Sequence, residues 1–239
     1  MSVLQSPSPP SRRSAPSSAS SGGSLDLFTR VLLFVEENRT LLYGVLAGVV
    51  ALAIAIPGYL YYQQQQAATA NDMLGKTLPL YEQGRYQQAL DGTADRPSLL
   101  TIADDYGGTA AGNLATFYAA DALYQTEQYD QALTYFERYD KGNDFLGASA
   151  YAAEAAIYEN RGAFQQAAEM YEEAATHFES PLTTPRYLLS AGRAYENAGA
   201  YAEAARVYTQ IQDEYSDAQQ AQEAERLLAR VRARQAAGA

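Results

Sequence analysis

Hydrophobic and polar positions follow two different patterns along this chain. Between 41 and 62, LLYGVLAGVVALAIAIPGYLYY runs for 22 positions without a charged residue. At about 1.5 Å per residue, a helix of that length matches a hydrocarbon core roughly 30 Å thick, so the stretch predicts a single transmembrane helix. Tyr43 at one end and Tyr59, Tyr61 and Tyr62 at the other fall at headgroup level, where amphipathic rings are favoured. Ahead of it, in 25–40, Leu25, Phe28, Val31, Leu32 and Val35 keep helical spacing opposite Asp26, Arg30, Glu36 and Glu37. That pattern predicts a juxtamembrane amphipathic helix, or a plain helical lead-in with no separate role. Residues 1–24 are mostly Ser, Pro, Ala and Gly, too poor in large apolar side chains to offset the entropy of ordering, and are expected to be a disordered tail.

Inside the span, Gly44, Gly48, Ala51 and Ala55 form one small-residue face, expected to serve as a homodimer seam or a docking face for a membrane partner. Pro57-Gly58 is expected to kink or fray the helix near its exit, with a linker over 63–75. Ala68-Thr69-Ala70 carries the small-x-small pattern of a signal-peptidase site. A signal peptide, however, has an apolar core of roughly 7–15 residues after a short basic start, so the 22-residue core behind a 40-residue lead favours a retained anchor.

Beyond 76 the pattern is a repeated phrase: Gly84-x-Tyr86-x-x-Ala89, Gln128-Tyr129-x-x-Ala132, Gly162-x-Phe164-x-x-Ala167 and Gly199-x-Tyr201-x-x-Ala204. Aligned on the Ala, the intervals are 43, 35 and 37 residues, a period that points to stacked helix pairs. The phrase resembles the tetratricopeptide repeat, a helix-turn-helix unit. In that pattern a large residue closes the first helix, here Leu123, Tyr158 and Tyr195, and a second aromatic follows the Ala, here Phe136, Tyr171 and Tyr208. The small Ala lets the paired helices approach and the aromatics fill the space between pairs. The expected architecture is therefore all-α: one transmembrane helix, then a tetratricopeptide solenoid over 76–239. Its clear repeats are 113–140, 148–179 and 185–215. The Gly84 phrase is degenerate, with Thr93 in the aromatic's place, and Ser180 to Pro185 form a longer loop. A capping helix is expected over 216–234, with Ser216 or Asp217 as its cap and Leu227, Leu228 and Val231 buried.

Charge changes the picture of partners. Residues 1–62 hold four Arg and three acidic residues, whereas the rest holds 13 basic and 25 acidic residues, leaving −12 of the chain's −11 in the domain. Such a domain is a poor partner for nucleic acid. Arg30 and Arg39 lie just before the span and Lys76 is the first basic residue after it, which predicts a cytoplasmic N-terminus and an exported C-terminal domain. With no Cys and one His, disulfides, zinc-thiolate sites and Cys-His dyads are excluded. His177 reads as a helix-end residue, Asp140-x-x-Asn143-Asp144 as an inter-repeat turn without the spacing of a calcium loop, and Asp104-Asp105 as a solvated face. No catalytic, cofactor or metal site is expected, and an enzyme is the weakest alternative.

A second resemblance covers most of the chain. Phe34-Val35-Glu36-Glu37-Asn38, the uncharged Gly-containing span, and Tyr106-Gly107-Gly108-Thr109-Ala110-Ala111 running into Leu114-Ala115 look like the bacterial family of ancillary Sec-translocon subunits, related to the cell-division coordinator family. That resemblance implies a single-pass inner-membrane protein with a periplasmic domain. It implies a non-enzymatic adaptor whose partners are proteins or peptides, including translocon subunits and the periplasmic chaperones that receive secreted chains. The alternative is a scaffold for an envelope or cell-division complex. Carried over from the repeat, the peptide groove would receive Phe117, Asp121 and Tyr124, then Ala152, Ala156 and Glu159, then Arg186, Leu189 and Arg193.

Overall fold

The structure, a computed structural model, describes residues 23–238; the tail expected at 1–24 lies outside them up to residue 22. Among the described residues every regular element is an α-helix, with one isolated bridge between Thr93 and Arg96. The chain divides at Tyr59/Leu60 into two units.

In the first unit, α1 (Gly23–Glu37) gives way to α2 (Arg39–Glu82) at Asn38. Asn38 holds the junction: its backbone and side-chain amides both donate to the Phe34 carbonyl at 3.0 Å, while its own carbonyl accepts from Leu42 at 2.9 Å. Leu32, Leu33, Phe34 and Val35 are exposed, and so are the large apolar side chains of 41–59 apart from the half-buried Leu42, Ile54 reaching 71%. α2 is long and apolar enough to cross a membrane by length and composition.

The helix does not fray at Pro57-Gly58, and the expected linker at 63–75 is helical, because α2 continues to Glu82. Ala and Gln are good helix formers, and this segment adds i,i+4 bonds from Gln65 and Gln66 to the Tyr61 and Tyr62 hydroxyls, at 3.0 and 2.6 Å. Ala70 is fully buried in the second unit's core, so the small-x-small triplet at 68–70 belongs to a packed helix.

The second unit is built from helices joined by short turns: α3 (Tyr86–Asp91), α4 (Leu99–Tyr106), α5 (Ala110–Gln125), α6 (Tyr129–Arg138), α7 (Phe145–Asn160), α8 (Phe164–His177), α9 (Thr184–Asn197), α10 (Tyr201–Glu214) and α11 (Gln219–Gly238). One turn recurs four times. Leu80, Leu123, Tyr158 and Tyr195 offer their carbonyls to the amides five residues on, at Arg85, Gln128, Ala163 and Ala200 (2.8–2.9 Å). Between them sits a residue of positive φ: Gly84 at 72°, Glu127 at 62°, Gly162 at 74° and Gly199 at 76°. This is the Schellman arrangement, in which a left-handed residue lets the chain reverse and caps the preceding carbonyls. The large residue of the repeated phrase closes the first helix, and its carbonyl anchors the turn.

After each turn the phrase's Ala packs inward, and Ala89, Ala132, Ala167 and Ala204 are all fully buried. Phe136 and Tyr208 are fully buried four residues later and Tyr171 nearly so, whereas α3 stops at Asp91, before Thr93. α11 starts at Gln219, not at Ser216 or Asp217, because a turn from the Tyr215 carbonyl to the Ala218 amide (2.9 Å) precedes it; Leu227, Leu228 and Val231 are buried. The buried side chains form two clusters that meet on α7: Ala150 and Ile157 belong to the cluster running back to α2, Ala148 and Ala155 to the one running on to α11.

Two stability predictions follow from these contacts. Glu127 occupies a left-handed conformation that its glycine counterparts adopt without strain, so Glu127→Gly is expected to stabilise the protein by about 1 kcal/mol, read as a higher urea midpoint. Gly192 faces the Tyr208 ring, and a Cβ added there would stand 2.2 Å from Cε1. Gly192→Ala is expected to destabilise by about 1–3 kcal/mol through overpacking, measured in the same unfolding assay.

Candidate binding surface

The residues whose chemistry drew notice in the sequence are engaged in holding helices together. Asp104 on α4 accepts from the Tyr135 hydroxyl at 3.1 Å and from Arg138 at 2.6 Å, both on α6. Asp144 caps α7 by accepting from the Gly147 amide at 2.8 Å, and Asp140 and Asn113 exchange two bonds, at 2.8 and 3.0 Å, that tie the α6–α7 turn to α5. His177 places Nε2 2.8 Å from the Gly142 carbonyl and sets its ring edge-on to Tyr151, 5.0 Å between centroids. Among the described residues no group of three His, Cys, Asp or Glu side chains is placed to hold a metal ion.

Beside them lies a buried ion pair. Lys141 Nζ stands 2.9 Å from Glu154 Oε1, donates to the Phe136 carbonyl at 2.8 Å and lies 5.0 Å from the Tyr151 ring centre. The two side chains are only 11% and 7% exposed. Burial pushes the Glu154 carboxyl above its ordinary pKa, and the lysine pulls the other way.

The nine groove positions fall into two groups. Phe117 is half-buried against Phe136 and Tyr139, with ring centroids 6.0 and 5.4 Å away, and Tyr124 packs edge-on to Tyr129 at 5.4 Å. Asp121 accepts from the Tyr81 hydroxyl at 2.5 Å, and Glu159 from that of Tyr171 at 3.2 Å. Burial comes first in raising both phenol pKa values above the ordinary range, and the neighbouring carboxylates add to it. Ala152 and Ala156 are half-buried. These six positions therefore spend much of their surface on neighbouring helices.

Arg186, Leu189 and Arg193 behave differently. The structure brings them together along one side of α9 and adds Gln222, Glu223 and Arg226 from α11, enclosing a pocket of about 390 Å³. Leu189 is buried at its floor and the guanidinium groups are exposed at its rim. Arg193 is paired with Glu223, and the Arg186 guanidinium lies 5.5 Å from the Tyr187 ring centre. The contribution of α11 is absent from the groove expectation because that helix, read as a cap, carries no repeat phrase. Its Gln- and Arg-rich first turns were the available signal.

The small-residue positions Gly44, Gly48, Ala51 and Ala55 are exposed along α2, with open space where a Cβ would stand at either glycine.

No protein-family model and no curated protein matches the chain. Among solved structures, a kinesin light chain-like protein of Podosopora anserina with nearly identical TPR-like repeats is similar. It is 20% identical, with 72% of this chain and 97% of that one covered and a TM-score of 0.47. A single-site variant of the same protein gives 20% identity, 73% and 95% coverage and a TM-score of 0.40. The pairing of helices described above stands on this chain's own hydrogen bonds and buried contacts.

The Lys141–Glu154 pair makes a pH prediction. A carboxyl whose folded pKa is raised above its unfolded value binds its proton more tightly when folded, so it adds stability at low pH that is lost as pH rises through the folded pKa. As pH is lowered from neutral toward the ordinary carboxylate range, the unaltered chain is expected to gain stability relative to Glu154→Gln, read from paired urea titrations.

Proposed function

We propose that this chain is a membrane-anchored tetratricopeptide-type adaptor, a single-span protein whose helical domain binds proteins or peptides. The observation that carries the reading is the pairing of two features in one chain. One is the uncharged apolar stretch 41–62 of α2, whose side chains are mostly exposed; the other is a domain made of helix pairs with an open pocket between α9 and α11. Exposed Leu, Val and Ile over 22 positions are costly in water and favourable in lipid, which accounts for their presence on α2. Paired helices with short turns supply an extended binding surface, which suits an adaptor.

The finer reading follows from residues named in the sequence. Arg30 and Arg39 ahead of the span favour a cytoplasmic N-terminus, which puts the domain in the periplasm of a bacterial inner-membrane protein. The resemblance to ancillary translocon subunits supports service beside the Sec translocon, with hand-over of secreted chains to periplasmic chaperones.

Protease added to intact spheroplasts is expected to digest the domain of a tagged chain; protection until lysis would reverse the topology. Crosslinking in cells, followed by identification of partners, is expected to recover translocon subunits, and recovery of an envelope or division complex in their place would move the assignment to a scaffold. If the small-residue face docks on a membrane partner, replacing Gly44 and Gly48 together by Leu is expected to reduce recovery of that partner while the domain's unfolding midpoint stays unchanged.

A further inference from the structure

The pocket between α9 and α11 is lined by three arginines and one carboxylate in a domain that is acidic as a whole. Arg138, Arg161, Arg206 and Arg230 each find a carboxylate on another helix, at Asp104, Asp130, Glu172 and Glu196. With 25 acidic residues against 13 basic ones beyond Tyr62, carboxylates are plentiful. Yet Arg186 and Arg226, facing the same pocket, have no carboxylate partner among the described residues, and the third arginine there, Arg193, shares the one acid, Glu223. Three guanidinium groups against one carboxylate leave a local positive surplus.

We infer that this pocket binds an acidic peptide segment of a partner protein, its carboxylates taken by Arg186 and Arg226. The proposal rests on the adaptor reading and names the chemistry of its partner. A guanidinium presents parallel donors that match a carboxylate, and it is more weakly hydrated than an ammonium, so it gives up water readily on pairing. The amide of Gln222 can both donate to and accept from a peptide backbone, and the buried Leu189 gives the floor an apolar surface for a flanking side chain. A volume of about 390 Å³ admits a few side chains and no more. Length is limited by charge as well. A long polyanion such as nucleic acid would leave the basic pocket and run over a domain that is otherwise strongly acidic, where the field repels it. A short acidic stretch stays within the pocket, where arginines outnumber the one carboxylate.

The test uses the full chain in detergent micelles and a fluorescein-labelled hexaglutamate peptide, followed by anisotropy at low and moderate salt. Binding is expected to weaken as salt rises. The double variant Arg186→Gln, Arg226→Gln is expected to lose affinity by about tenfold or more. Glu223→Gln, which frees Arg193, is expected to raise affinity several-fold, and Arg232→Gln, an exposed arginine of α11 outside the pocket, to leave it unchanged. Absence of hexaglutamate binding, unchanged affinity in the double variant, or an equal loss with Arg232→Gln would overturn the assignment. So would a hexathymidylate oligonucleotide bound as tightly as the peptide. Crosslinking in cells separates this proposal from the reading beneath it. Equal partner recovery by the double variant and the unaltered chain sinks the pocket assignment alone; no partner recovered by the unaltered chain sinks the adaptor reading.

Discussion

Close approach between helices, made possible by alanine, is the constraint on which the domain depends. Ala115, Ala119, Ala120 and Ala122 on α5, Ala148, Ala150 and Ala155 on α7, and Ala191 and Ala194 on α9 are fully buried, on helices with neighbours on more than one side. A larger side chain at such a position would push two helices apart, and the turns that join them are too short to follow. Gly192 is the limiting case, where the Tyr208 ring occupies the space a methyl group would need. Individually these alanines bury little apolar area. The larger gain comes from the residues that their closeness allows to interlock, among them Leu80, Leu123, Phe136, Ile157 and Tyr208.

Polar ties then fix which helix pairs with which. Glu172 on α8 accepts from the Tyr195 hydroxyl of α9 at 2.6 Å and from Arg206 of α10 at 2.6 Å, so one carboxylate joins three helices. Asp104 does the same for α4 and α6 through Tyr135 and Arg138. Tyrosine suits this position because its ring packs as a hydrophobe while its hydroxyl reaches the edge of the core, as at Tyr81, Tyr135, Tyr171 and Tyr195. The carboxylates so employed are withdrawn from ligand binding. Asp121 and Glu159 hold neighbouring helices in this way, whereas Arg186 and Arg226 at the pocket between α9 and α11 have no carboxylate partner among the described residues.

α7 gives the domain its continuity. Its Ala150 and Ile157 belong to one buried cluster and its Ala148 and Ala155 to the other, so the two clusters share a helix. The Lys141–Glu154 pair and the Tyr151–His177 contact add to that junction, with the first binding the α6–α7 turn to α7 and the second binding α7 to α8. The sole histidine of the chain is thereby explained as a packing residue whose ring nitrogen meets a backbone carbonyl.

By itself, the sequence determined the helical character of the chain, the apolar run at 41–62 and the phrase that marks each turn, because these depend on side-chain chemistry repeated at a local period. It even marked three of the four residues whose carbonyls anchor the turns, Leu123, Tyr158 and Tyr195, although at Glu127 no glycine advertised the left-handed conformation; the Leu123 carbonyl and the packing of Ala132 impose it. Only the tertiary structure decided how far α2 extends, since good helix formers and i,i+4 bonds carry it through the expected linker. The same holds for the groove. Nine positions chosen by repeat register look alike in sequence, but Asp121 and Glu159 meet tyrosines from other helices, while Arg186, Leu189 and Arg193 meet α11 across a pocket. Which side chains are taken up by neighbours is a property of contacts distant in sequence, and no local period records it.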